Sequence, residues 1–295
     1  VVPSGNPKSD NFNVCGLNSF WEQLDPMGGG TFEVNGRQLR ITVPEGATHN
    51  VWGAGNNAPR VMQDADNVDF EYIVKFDSAV TQNAQMQGLI VEESAARFAR
   101  FDFEYNGGVV KAYAATIYDG STRKRVSVDI DPAQAVYLRV VRVGNKWIMS
   151  YSGNGVDWTE AGSFNNFILN VAKAGVFAGN VAVGSQPAPA HTAVIDYFQN
   201  VAEGPMPEDT PMLAVTVVGG GTVTSNPPVD QVVCGQTVTL TAAPGLGYPF
   251  GSWSGAVTGT QPTATLLING PKQVTATFTG SSTRYLLLPM VITTP

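Results

Sequence analysis

Short runs in which apolar and polar side chains alternate are what most constrain this chain. RQLRITV (37–43), VDFEYIVKF (68–76), RFARFDFEY (97–105), KRVSVDI (124–130), VYLRVVRV (136–143) and KWIMSYS (146–152) all follow the pattern. A period of two sends neighbouring side chains to opposite faces of an extended strand, whereas a helix would need recurrence at three and four. Gly, Asn, Asp or Pro bounds each run, and only Gly144 and Asn145 separate two of them, which predicts a tight hairpin. Many short strands with turn signals between them predict an all-β fold of the sandwich or jelly-roll kind.

Composition narrows the class. The chain has 295 residues, enough for about two domains. Its 43% hydrophobic content can fill a core, and 32 Gly and 19 Pro supply turns. Charged residues are 14%, against about 25% in an average soluble domain. A formal net charge of −7 opposes general nucleic-acid binding, which needs a basic stripe to displace phosphate counterions. No stretch approaches the roughly 20 apolar residues of a membrane-spanning helix, so no membrane span is expected. The opening VVPSGNPKSDNF has no initiator Met and no charged-then-apolar leader. The expectation is a mature or trimmed chain that works secreted, outside the cell or on its surface.

The pattern changes at AEGPMPEDTP (202–211), where three prolines and three acids predict an extended, solvated linker. Before it, 1–201 form the large β domain. After it, 212–279 read as Thr/Val-rich strands between Gly/Pro turns, a small all-β domain whose only charged residues are Asp230 and Lys272. Residues 280–295 follow as a hinge and an apolar strand. Tyr285, Leu286, Leu287, Leu288, Met290, Val291 and Ile292 are apolar on both parities, so this strand needs cover on both faces. Burying seven such side chains contributes on the order of 10–20 kcal/mol. Ordering the backbone costs about 1–2 kcal/mol per residue, so burial wins only under nearly complete cover. The leading expectation is donation of this strand to an adjacent copy, head to tail, a contact that does not close and so propagates as a filament. Fold-back into its own chain and a processing or sorting tail are the alternatives.

Several ordered blocks carry a resemblance. SDNFNVCGLNSFWEQLDPMGGGTFEVNG, PEGATHNVWGAGNNAPRVMQ (44–63), VDFEYIVKFDS, MQGLIVEE, ARFDFEY and HTAVIDYF together resemble the uncharacterised bacterial branch of the concanavalin-A-like lectin/glucanase jelly rolls, over about 9–200. The resemblance implies a jelly-roll sandwich of a type often found as an accessory module of secreted carbohydrate-active proteins. GGGTVTSNP, CGQTVTLTAAPGLGYPFGSWSG and KQVTATF are similar to internalin B-repeat-like bacterial domains, over about 212–279. Such domains are usually spacers or repeats of secreted and surface proteins, and a single copy makes no extended stalk.

Candidate chemistry is sparse. Jelly-roll glycosidases need two carboxylates facing one another across a sugar. Asp102 with Glu104, and Asp69 with Glu71, occupy alternate positions and so share a strand face, but neither run supplies a third acid at the next alternate position. Both pairs are therefore expected on a polar outer face, with Phe101, Phe103 and Tyr105 facing the core. Glu92 and Glu93 are expected to satisfy nearby guanidinium groups such as Arg97 and Arg100. On these grounds the chain is expected not to be an enzyme.

His49, Trp52, Asn56, Asn57, Arg60 and Gln63 crowd one Gly-rich segment and combine an aromatic plate with amide and guanidinium groups, the ingredients of a sugar site. The competing reading is a long connection whose polar side chains bind its own backbone. His191 is expected to be a hydrogen-bonding strut. SGNGVDW (152–158) reads as a structural turn. Cys15 and Cys234 fit no zinc or redox spacing; a bridge between them, an intermolecular bond and two buried thiols all remain open. No cofactor is expected, although a structural calcium ion would suit such a sandwich. The function expected from the sequence is a non-catalytic, extracellular structural protein that forms a filament or surface assembly with copies of itself. The alternative is a carbohydrate-binding accessory module of a secreted polysaccharide-degrading system, with glycans as partners.

Overall fold

Strand follows strand through the computed structural model, which describes residues 6–53, 55–206 and 209–280. The chain divides into two compact units between Thr210 and Pro211. In chain order the first unit contains β1 (Glu22–Leu24), β2 (Thr31–Val34), β3 (Leu39–Val43), β4 (Val51–Trp52), β5 (Gly55–Asn56), β6 (Arg60–Asp64), β7 (Phe70–Phe76) and β8 (Gln85–Ser94). It continues with β9 (Arg97–Asn106), β10 (Val109–Tyr118), β11 (Ser121–Ile130), β12 (Tyr137–Val143), β13 (Lys146–Ser152), β14 (Thr159–Phe164), β15 (Lys173–Asn180) and β16 (His191–Asn200). Two antiparallel seven-stranded sheets result, ordered β1-β6-β15-β8-β9-β10-β11 and β14-β13-β12-β7-β16-β3-β2. This is the all-β jelly-roll sandwich that the alternating runs predict. The expected hairpin is present: Val143 pairs with Lys146 across Gly144 and Asn145.

The core lies between the two sheets. Ile41, Val74, Leu138, Val140 and Ile195 of one sheet meet Leu89, Phe101, Phe103, Ala112 and Val176 of the other, all fully buried. Trp147 sits at its centre, stacked on Phe101 with ring centroids 5.9 Å apart and donating its indole N–H to the Phe167 carbonyl at 3.1 Å. His191 of β16 reaches Gln87 of β8 at 3.1 Å, the strut expected of it, and burial pushes its imidazole down to about 4.

β8, β10 and β15 were not among the alternating runs. They carry apolar and small residues on both parities because both faces of this sheet are covered. The inner face meets the core. The outer face lies under the segment that contains the small β4–β5 hairpin, with Val51, Ala58, Met62, Met86, Ile90, Phe98, Ala115, Ile117 and Phe177 forming a second apolar cluster. The expectation of a solvated face for Asp102 and Glu104 is therefore corrected. Their parity is as predicted, but Asp102 is fully buried and Glu104 nearly so. Asp69 is exposed and Glu71 half-buried, closer to the polar face predicted for that pair. The residues assigned to the linker start with a bound turn instead of open chain: the 3-10 turn Val201–Glu203 is capped by the Asn200 side chain.

The second unit comprises β17 (Leu213–Val218), β18 (Gly221–Asn226), β19 (Thr237–Pro244), β20 (Phe250–Gly255), β21 (Thr263–Leu267) and β22 (Lys272–Phe278). Two three-stranded sheets, β17-β22-β20 and β18-β19-β21, enclose Leu213, Val238, Leu240, Trp253, Val274 and Phe278. β17 and β22 run parallel. Gly219 turns β17 into β18 with φ of +91°, and a Cβ there would stand 2.1 Å from the Phe278 carbonyl oxygen, so only glycine fits. The expected assembly strand, Tyr285, Leu286, Leu287, Leu288, Met290, Val291 and Ile292, lies outside the described residues.

Candidate functional site

β9 sends Phe98, Arg100, Asp102 and Glu104 to the outer face of the sheet, while Ala99, Phe101 and Phe103 enter the core. Cross-strand register sets what each meets. Asp102 stands opposite Gly88 on β8 and Tyr113 on β10, and Arg100 opposite Ile90 and Ala115. Gly88 has to be glycine: a Cβ there would lie 2.4 Å from the Asp102 Cβ and 2.2 Å from the Phe101 carbonyl oxygen. Arg100 donates from Nε and Nη2 to the two Asp102 oxygens at 2.7 Å each, and from Nη2 to Glu104 at 3.2 Å. Its Nη1 donates to the Val51 carbonyl at 3.3 Å, which ties the hairpin to the sheet. Its guanidinium also lies over the Tyr113 ring, 4.9 Å from the centroid.

This bidentate pair is buried, so desolvation dominates its electrostatics. Burial pushes the Asp102 carboxyl up to about 6, against the downward pull of Arg100. A second buried pair anchors the far side of the hairpin. Arg60 Nε meets Glu92 at 2.9 Å, Asn56 Nδ2 bonds the same carboxylate, and Arg60 Nη1 donates to the carbonyls of Asn56 and Ala58 at 3.1 Å each. Burial lowers Arg60 and raises Glu92, each opposed by the partner's charge. The guanidinium partner of Glu92 is thus Arg60, whereas Glu93 takes Arg97 at 3.2 Å.

Beside the hairpin these residues leave an open cleft of about 330 Å³. Trp52 forms one wall, 42% exposed, its ring centroid 6.4 Å from that of Tyr113. Glu104 and Tyr113 line it, Asn50, Asn83 and Asn106 bring amides, and Val181 and Val183 add an apolar side. Asn106 donates to the second Glu104 oxygen, Oε1, at 3.2 Å, so both oxygens of that carboxylate are engaged. Glu104 is the one carboxylate among the described residues that line the cleft. An aromatic plate ringed by amides and a carboxylate can stack a sugar ring and bond its hydroxyls.

Of the six residues expected to hold a sugar, the cleft contains Trp52 alone. His49 is fully buried, its Nδ1 beside Asn180 Oδ1 at 3.1 Å and its Nε2 beside the Gly28 carbonyl at 3.1 Å. Gln63 exchanges two 2.8 Å bonds with the Lys8 backbone, Asn56 and Arg60 hold the hairpin, and Asn57 is half-buried beside it. The side chains of His49, Asn56, Arg60 and Gln63 are thus engaged within the protein and do not line this cleft. Sequence reasoning missed Tyr113, Asn83 and Asn106, whose strands and turns lie far from Trp52 in the chain. SGNGVDW is a turn as expected, with Asn154 Oδ1 accepting the amides of Val156 and Asp157. Among the described residues no group of three or more His, Cys, Asp or Glu is placed to hold a metal ion, and no helix is long and apolar enough to cross a membrane.

Comparisons with known proteins agree with this two-part layout. A family model, the divergent InlB B-repeat domain, matches residues 212–282. No curated protein matches the chain. Among solved structures the chain is similar to the GH43 protein BlXynB of Bacillus licheniformis, with a TM-score of 0.52 and 17% identity over 65% of this chain and 39% of that one. It is also similar to a xylan beta-1,4-xylosidase from Bacillus halodurans C-125, with a TM-score of 0.51 and 14% identity over 66% of this chain and 39% of that one. The chain thus spans well under half the length of these proteins, and at such identity the likeness is one of fold. It corrects one expectation. The expectation that the chain is not an enzyme does not stand, because solved structures that share this fold include GH43 proteins such as a xylan beta-1,4-xylosidase.

Proposed function

We propose that the first unit is a carbohydrate-recognising domain that seats a sugar ring on Trp52 in the cleft over β9 and β10. The observation that carries this reading is the half-exposed indole itself. It stands on a hairpin held by two buried ion pairs, with amides and Glu104 within the same cleft. A plate fixed before the ligand arrives loses little freedom on binding, which is how a shallow site gains affinity. The neighbours described as a xylan beta-1,4-xylosidase and a GH43 protein make neutral β-linked xylo-oligosaccharides the first ligands to try. A glycan array probed with the full chain is expected to return saccharide binding that Trp52→Ala abolishes. Binding that survives this substitution would refute the assignment of the site.

A finer reading adds assembly: a secreted protein whose run 285–292 is donated as a strand to a neighbouring copy. It is favoured by the run's apolar residues on both parities, which need cover on two faces. Deleting 284–295 is expected to leave folded monomers in negative-stain images where the full chain forms fibres. Fibres from the truncated chain would overturn it.

A further inference from the structure

A second pocket, of about 520 Å³, opens at the other end of the first sheet, around the β10–β11 hairpin and the 166–170 loop. Its charge is unlike that of the rest of an acidic chain. Arg97, Arg123 and Arg125 line it against one carboxylate, Glu93. Glu93 is spent: one oxygen meets Arg97 at 3.2 Å and the other accepts the Asn170 amide at 3.0 Å. Arg97 is spent too, since Asp119 takes its remaining donors at 2.6–3.0 Å. Arg123 and Arg125 differ. Among the described residues no carboxylate forms an ion pair with either. Three guanidinium groups against two carboxylates leave the pocket positive even with Asp119 counted.

Arg125 is also held in place. A bulge in the β10–β11 ladder falls at this residue, between the Ala114–Val126 and Ala115–Lys124 pairs. Its Nε donates to Thr116 Oγ1 at 2.9 Å, and its guanidinium lies 5.1 Å from the Phe164 centroid and 5.7 Å from that of Phe167. Burial and the Arg123 charge hold it below the ordinary guanidinium value, as expected of a cation that lacks an anionic partner. A planar cation stacked on rings, with its Nη groups unused by any described hydrogen bond, is shaped to take a carboxylate in a fork. Around it stand the apolar walls Tyr118 and Phe167 and the hydroxyl groups of Ser121 and Thr122, which suit a sugar body better than a bare ion. Thr122 Oγ1 also accepts the Gly53 amide at 3.1 Å, next to Trp52 in the chain, so the pocket's rim touches the hairpin that carries the neutral-sugar cleft.

We propose that Arg123 and Arg125 form a subsite for the carboxylate of an acidic sugar, a uronic acid unit in an oligosaccharide. This rests on the reading of the first unit as carbohydrate-recognising and names a further ligand class for it. The test is calorimetric titration of the full chain with three probes: trigalacturonate, neutral xylotriose and inorganic sulfate. Trigalacturonate is expected to bind, to weaken as salt is raised, and to lose about tenfold or more in affinity on joint Arg123→Gln and Arg125→Gln substitution. The xylotriose response should stay unchanged. Because Arg125 packs on two rings, Arg123→Gln alone, at an exposed position, serves as the variant that leaves the fold intact and is expected to weaken trigalacturonate several-fold. Unchanged trigalacturonate binding in both variants would overturn the proposal, and so would sulfate binding as tightly as trigalacturonate, which marks a site for any anion. If xylotriose binds through Trp52 while trigalacturonate does not bind, this inference alone fails. If neither saccharide binds, the carbohydrate reading fails and this one falls with it.

Discussion

The two faces of the sheet over β6, β15, β8 and most of β9 are both dry but differently filled. The inner face is close to uniformly apolar, with Leu89, Phe101, Phe103 and Val176 packed against the facing sheet. The outer face mixes Ile90, Phe98 and Phe177 with Arg60, Glu92, Arg100 and Asp102, all buried under one short hairpin. The inner face is held by buried apolar area and close packing. The outer face is held by charge pairs that stabilise only while both partners are present. Charge pairs fix the hairpin, and the hairpin holds Trp52 at the mouth of a cleft.

Substitutions on each face separate the two modes of stabilisation. The largest effect is expected from Phe101→Ala on the inner face, which should lower stability by about 3–5 kcal/mol in urea unfolding, through lost burial and a cavity under Trp147. On the outer face, Asp102→Ala leaves Arg100 buried without its bidentate partner and should cost nearly as much, about 3–5 kcal/mol. The faces separate in the next step. Replacing Arg100 and Asp102 together by Met and Leu should recover most of that loss, because a dry apolar pair needs no charge compensation. A double variant as unstable as Asp102→Ala would mean that the pair does more than satisfy itself.

A smaller effect is expected from pH. His191, pushed down to about 4 by burial, binds fewer protons in the folded chain than in the unfolded one between about pH 4 and 6.5. Its share of stability, up to about 3 kcal/mol, is present above pH 6.5 and is lost as pH falls through that window. Asp102, raised to about 6, works in the opposite sense: the folded chain binds more protons there, so its share declines as pH rises from about 4 to 6. Stability measured against pH should therefore fall less steeply on acidification in His191→Gln than in the wild type. Equal slopes would contradict the burial argument. Smallest of all should be the stability change of Trp52→Ala, within about 1 kcal/mol, since the indole is 42% exposed.

The same contrast explains what could be read from the sequence. Strands with one wet face announce themselves by alternation, as in Tyr137–Val143, and the sandwich followed from them. Strands buried on both faces do not alternate, so Gln85–Ser94 and Val109–Tyr118 gave no such signal. Alternation did assign Asp102 and Glu104 to the face opposite Phe101 and Phe103. It could not report that a hairpin more than forty residues earlier roofs that face. The site residues split for the same reason. An aromatic among amides flagged Trp52, but local crowding cannot tell a side chain aimed at a ligand from one such as His49, spent on Asn180 and Gly28. Arg125 was overlooked because its distinction is the absence of an anionic partner among the described residues, which only coordinates can display.

Stacking of a sugar on Trp52 can be followed through the tryptophan indole N–H resonances of the ¹⁵N-labelled chain during titration with a xylo-oligosaccharide. Trp52 is expected to shift progressively and saturably, while the buried Trp147 and Trp253 stay where they are. A silent Trp52 signal in a titration where binding is otherwise detected would place the sugar elsewhere and rule out stacking on this indole.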